Sequence, residues 1–182
     1  MRRQPLRDAG FVLLIGAFML LPAGACAVAR RQPSAPARPP DGVSIAPPAV
    51  VPVTSVVDGD TIHVRYRGRD ERVRLIGMDT PEIAHGREPA ECFADSAAVY
   101  TRDRLQGRTV TLRFDVRLRD PYGRLLAYVY LGHELVNLSL VRLGYADDDP
   151  VAPDTGMAGT FADAERTARA AGVGMWSACA TA

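Results

Sequence analysis

The sequence predicts an α+β domain, mainly β: a small closed barrel of five strands carrying about three helices. Three observations predict it. Short strand-like runs, punctuated by Gly, Pro and Asp turns, begin at Val50 and continue to Leu131. Helical periodicity interrupts them once, after the third strand, and takes over beyond the fifth. A hydrophobic fraction of 47% beside a charged fraction of 24% fills one core in a chain of 182 residues.

Residues 51–57 are strand-like and stop at the Asp58-Gly59-Asp60 turn. Residues 61–66 and 72–76 alternate apolar with polar around a hairpin turn at Arg67-Gly68-Arg69-Asp70. Residues 109–114 and 124–131 give the fourth and fifth strands, separated by the Asp120-Pro121-Tyr122-Gly123 turn. Helices are predicted over 94–105, 136–143 and 161–171, stopped at Gly107, Gly144 and Gly172. Five short strands with a helix between the third and fourth match an OB-type barrel with extra helices. Tyr128 and Tyr130, at period-2 spacing, read as core, and Trp176 as packing the last helix onto the barrel. His63, His85 and His133 are scattered without zinc-ligand spacing.

Charge restricts the function classes. Residues 50–182 carry 16 Arg against 19 Asp and Glu, and the chain has no Lys. A domain so balanced cannot hold a polyanion by bulk charge, so any phosphate it binds must meet placed arginines.

Ahead of the domain, residues 1–25 read as an export signal: Arg2, Arg3 and Arg7, then an apolar run from Gly10 to Leu21, then small residues. The run is shorter than the about 20 apolar residues of a membrane span. Ala23-Gly24-Ala25-Cys26 resembles a bacterial lipoprotein box, with Ala where Leu is usual, so Cys26 is a candidate for lipidation. Ordinary signal-peptidase cleavage after Ala25 or Ala27 is the alternative, and either route places the domain outside the cytoplasm, secreted or lipid-anchored to the envelope. Residues 26–49, rich in Pro and Ala, read as an extended linker. In that oxidising setting Cys92 and Cys179 are candidates for a disulfide pinning the C-terminal tail near the start of a helix; a free buried pair is the alternative.

The chemistry-bearing residues lie where strands end. Asp58 and Asp60 flank Gly59, and Asp79-Thr80-Pro81-Glu82 follows the third strand. With the first and third strands side by side, both turns open on one end of the barrel. Asp60, Asp79 and the Thr80 carbonyl then offer hard oxygen ligands suited to Ca²⁺ or Mg²⁺. Arg74 leads into Asp79 and Arg124 follows the Tyr122-Gly123 turn; the planar guanidinium fork matches phosphate oxygens. Carboxylates that hold a metal, two arginines and a free carboxylate are the minimum set for phosphodiester hydrolysis.

Val57-Asp58-Gly59-Asp60-Thr61, the run from Arg74 to Glu82 and the run from Asp120 to Tyr128 resemble, in order and spacing, three diagnostic blocks of the staphylococcal nuclease (thermonuclease) family. The stretch from Val136 to Ala146 resembles a fourth, and the similarity spans residues 53–177. The resemblance implies an OB barrel with three helices and Ca²⁺-dependent cleavage of DNA and RNA at the 5′ P–O bond, leaving 3′-phosphates. It implies Asp60 and Asp79 as metal carboxylates and Thr80 as carbonyl donor. Glu82 would orient or deprotonate water, Arg74 and Arg124 grip the scissile phosphate, Tyr122 reach a nucleotide phosphate, and Asp58 support the metal site. It points to a nucleic-acid substrate and a monomer.

Two departures stand out. Pro121 replaces a common Lys, and Asp147-Asp148-Asp149-Pro150, read as a solvated loop, stands where relatives place a basic residue and an aromatic. Three acids near a polyanion groove repel substrate. The rival class is a non-catalytic OB module that binds nucleic acid or protein outside the membrane. Such a module is expected to have lost a metal carboxylate, Glu82 or one of the arginines, and all are present.

Overall fold

The computed structural model describes residues 46–179. The signal segment 1–25, Cys26 and the linker as far as residue 45 lie outside the described residues.

Five strands close a barrel. They are β1 (Ala49–Val56), β2 (Thr61–Tyr66), β3 (Arg69–Leu75), β5 (Thr109–Arg113) and β6 (Leu125–Leu131). β2 pairs with β1 and β3, β1 with β5, and β5 with β6, all antiparallel. A parallel pairing of β3 with β6 completes the ring. β1 serves both β2 and β5 because its register shifts between Val53 and Ser55, an irregularity that bends a strand around a barrel corner. It opens at Ala49, one residue into the stretch read as linker, since Ala49 already pairs with Leu112. The interior is filled by the inward residues of the alternating strands, Ile62, Val64, Val73, Leu75 and Leu112 among them, and by β6, which is buried from Leu125 to Tyr130. Tyr128 and Tyr130 are buried, as their spacing predicts.

Helix α1 (Ala94–Leu105) runs between β3 and β5 in sequence and buries Ala97, Ala98, Thr101 and Leu105. The short β7 (Glu134–Leu135) leads from β6 into α2 (Val136–Arg142). Then come α3 (Ala158–Ala171) and the four-residue α4 (Met175–Ala178). Trp176 differs from expectation: its ring lies under the Arg169 guanidinium at 3.9 Å, so it packs α4 against α3.

The acidic run differs too. Residues 147–149 form β8 (Asp147–Asp149), paired antiparallel with β4 (Gly77–Asp79), and are half-buried. Main-chain pairing and a hydrogen bond from the Asp148 N–H to the Glu165 carboxylate of α3 (2.8 Å) override the loop preference of three aspartates. Gly77, at φ +81°, is required here: a Cβ would stand 2.7 Å from the buried Phe161 ring. Asn137, wholly buried, accepts the Val129 N–H and donates to the carbonyls of Ile76 and Ala127. It thereby ties the start of α2 to β6 and to the segment entering β4. Cys92 and Cys179 form a disulfide spanning 87 residues of chain.

Candidate active site

The Asp58-Gly59-Asp60 turn is fixed from three sides. Asp58 Oδ1 accepts the N–H groups of Asp60 (3.1 Å) and Thr61 (2.7 Å), an Asx turn that shapes the corner. Thr101 of α1 donates its hydroxyl to the Gly59 carbonyl at 2.7 Å. A Cβ at Gly59 would stand 2.7 Å from the Thr80 side chain, so only glycine lets the turn close on the segment after β4.

Asp60 is 2% exposed and its oxygens are used. Oδ1 accepts the Thr61 hydroxyl; Oδ2 accepts both the N–H and the hydroxyl of Thr80, at 3.1 and 2.9 Å. The two turns do meet, though not through side-by-side first and third strands. β2 stands between them, and antiparallel pairing sets Thr61 opposite Arg74. The start of β2 and the end of β3 therefore share one rim of the barrel.

Arg74 bridges that rim. Its guanidinium is ion-paired to Asp60 through one nitrogen and to Asp79 through the other. Burial opposes its charge, but the adjacent Asp60 and Asp79 more than reverse that and hold it above the ordinary arginine range. The carboxylates also act on each other. Burial, then the Asp60 charge, pushes Asp58 above the usual carboxylate range. Partial desolvation of an otherwise exposed side chain, then the Asp60, Asp58 and Asp79 charges, pushes Glu82 up in the same way. Glu82 is exposed, on the segment joining β4 to α1.

The turn after residue 119 places the second arginine. Asp120 accepts the N–H groups of Tyr122 and Arg124, and its Oδ2 accepts the Arg124 Nε–H at 2.6 Å. Burial raises the Asp120 pKa, but the bonds from Arg124 outweigh it and hold the carboxyl below its usual range. The Arg124 guanidinium lies 5.7 Å from the centroid of the Tyr122 ring, and Tyr122 is 78% exposed. In the parallel β3–β6 pairing Arg74 stands opposite Leu126, two residues beyond Arg124. Both arginines consequently line one cavity of about 220 Å³, with Tyr122 and Asp149 in its wall.

A family model described as "Staphylococcal nuclease homologue" matches residues 72–178, more than half of the chain. The chain belongs to the staphylococcal nuclease homologue family. It is 45% identical to a thermonuclease of Staphylococcus intermedius over 94 residues, which are 52% of this chain and 56% of the relative. It is 39% identical to a thermonuclease of Staphylococcus hyicus over 105 residues, 58% of this chain and 62% of the relative. An SPbeta prophage-derived endonuclease of Bacillus subtilis is 33% identical over 129 residues, 70% of this chain and 44% of the relative. The chain thus spans less than two thirds of the length of these relatives.

In this staphylococcal nuclease homologue, Asp58 and Asp60 precede the matched stretch, and Asp60 is joined to it by Thr80 and Arg74. Asp60, Asp79 and the Thr80 carbonyl are hard oxygen donors. Four carboxylates, those of Asp58, Asp60, Asp79 and Glu82, act on one another here, and the arginine bonded among them is Arg74. That excess of anionic oxygen fits a hard divalent cation such as Ca²⁺. Among the described residues no group of three or more His, Cys, Asp or Glu side chains converges as a metal cluster, and the donor set here has two carboxylates. Sequence reasoning gave Asp120 a turn role alone and Thr101 none. The signal for Asp120 was its place four residues before Arg124 across a tight turn; for Thr101 there was no local signal, because its partner lies 42 residues away.

Proposed function

We propose that the protein is an exported, Ca²⁺-dependent nuclease hydrolysing phosphodiester bonds of DNA or RNA with low sequence specificity. The observation that carries the reading is the position of Arg74, which faces the Asp60 and Asp79 carboxylates and also lines the cavity that holds Arg124 and Tyr122. A phosphate in that cavity would meet two guanidinium groups at once. The names of the relatives, thermonuclease and endonuclease, support the same activity. Export, with or without lipidation of Cys26, rests on residues 1–26 alone.

Asp60, Asp79 and the Thr80 carbonyl would hold Ca²⁺, which supplies positive charge beside the scissile phosphate. The remaining work falls to side chains. Arg74 and Arg124 stabilise charge as it grows on the phosphorus oxygens. Glu82, its pKa raised by partial desolvation and three carboxylate neighbours, accepts a proton from water as that water attacks phosphorus; the P–O bond to the leaving oxygen breaks, and that oxygen takes a proton from solvent. Tyr122 contacts a flanking phosphate, and Asp58 holds the turn that aims Asp60.

The test is cleavage of single-stranded DNA, duplex DNA and RNA by the purified protein with millimolar Ca²⁺ or with chelator. Cutting that chelator abolishes is expected. Binding without cutting would instead favour the non-catalytic module.

A further inference from the structure

We propose that Glu91 is a positioning residue for Glu82, an inference that rests on the nuclease reading above. Residues 80–93 join β4 to α1 without helix or strand of their own, and Glu82 sits near the start of that segment. Glu91 closes it. The Glu82 N–H donates to Glu91 Oε2 at 2.8 Å, and the Glu91 N–H donates to the Glu82 carbonyl at 2.9 Å. Inside this clasp His85 and Glu88 exchange main-chain hydrogen bonds at 3.1 and 2.9 Å.

The clasp is anchored on its far side. Cys92 is bonded to Cys179 just past α4, and Phe93, at φ +74°, stacks on Tyr145 at 5.4 Å. Glu91 is therefore held against the body of the domain by its two following neighbours. Of the ties on the Glu82 backbone it makes one through its side chain, and no other side chain donates to or accepts from that backbone. Without the carboxylate, the Glu82 N–H loses its partner and the residue is held from its carbonyl side only. The Glu82 carboxyl would then sample positions away from the attacking water, and displacement by about 1 Å can cost about 100-fold in rate.

The experiment compares wild type, Glu91→Ala, Glu91→Gln and Glu91→Asp by steady-state cleavage and by amide hydrogen exchange at Glu82 in ¹⁵N-labelled protein. Glu91→Ala is expected to lower kcat about 10- to 100-fold with KM little changed, and to speed exchange of the Glu82 amide. Glu91→Gln, whose amide oxygen still accepts the N–H, is expected to recover most of both. Glu91→Asp, a charge-preserving variant for the case that Glu91→Ala is poorly folded, should lose both in part. Unchanged exchange in Glu91→Ala, or fast exchange with unchanged kcat, would overturn the proposal. A wild-type protein that never cuts refutes the nuclease reading instead, while the exchange data still report on the clasp.

Discussion

Asp60 shows how much a single side chain carries in this site. Its carboxylate is buried, accepts three hydrogen bonds from Thr61 and Thr80, and faces the Arg74 guanidinium. Removing it would leave Arg74 with Asp79 alone and free Thr80 from the turn. Glu82 is the opposite case: exposed, with no side-chain hydrogen bond to a neighbour, and therefore available to water. Glu82→Gln keeps the shape and removes the basicity. It is expected to lower turnover about 10²- to 10⁴-fold with an unchanged melting curve; cleavage at the wild-type rate would take Glu82 out of the mechanism. Asp120→Ala is expected to raise KM by unfastening Arg124 while sparing the fold, and steady-state kinetics beside circular dichroism would separate the two effects.

At the scale of elements, the β4–β8 pair and its seat on α3 decide where Asp79 stands. Asn137 and Phe161 secure this region. Asn137→Ala would strand the buried Val129 N–H and the Ile76 carbonyl, while the Ala127 carbonyl keeps the Ile76 N–H; it is expected to cost about 2 kcal/mol or more, read by denaturant unfolding. β8 also carries a pH dependence. A hydrogen bond with Glu165, then burial, raises the Asp148 pKa to about 6, whereas Arg169 and Asp148 bond to Glu165 and keep it below its usual range despite burial. The folded state thus holds the Asp148 proton more tightly than the unfolded chain. Its contribution to stability is present at low pH and is lost as pH rises from the ordinary carboxylate range through about 6. Asp148→Asn should flatten that slope and raise the melting temperature at pH 7 to 8; an unchanged slope would remove Asp148 as its source. The elements were unevenly legible in the sequence. Most barrel strands and α1 follow from their apolar periodicity, and β6 from a continuous apolar run, with Gly and Asp turns marking the ends, because those patterns are local. β4 and β8 are not legible, since three residues of Asp have no strand preference and their pairing is set by a partner 70 residues away. The catalytic candidates were legible as motifs, and Asp120 had a local signal four residues before Arg124, whereas Thr101 and Glu91 act through contacts that only the folded chain brings together.

Across the whole molecule, the Cys92–Cys179 disulfide links the segment that carries Glu82 to the C-terminal end of the described chain. A closed loop of this length stabilises by about 4 to 5 kcal/mol in the chain-entropy picture, so reductant should lower the melting temperature, and an unchanged temperature would contradict that contribution. Charge works at the same scale. Residues 50–182 carry 16 Arg against 19 acidic residues, so under the proposed function affinity for nucleic acid would depend on two placed arginines. Two phosphate contacts on a single strand predict a log–log salt slope of about −1.4, and a much steeper one would reveal a basic surface elsewhere. In the proposed mechanism Arg74 and Arg124 grip a phosphate that the adjoining carboxylates help to hydrolyse. Cleavage by wild type and by Arg124→Ala, side by side in millimolar Ca²⁺, tests it most directly. Ca²⁺-dependent cutting by wild type and a loss of about 100-fold or more in the variant are expected; equal rates in the two would remove Arg124 from the phosphate grip.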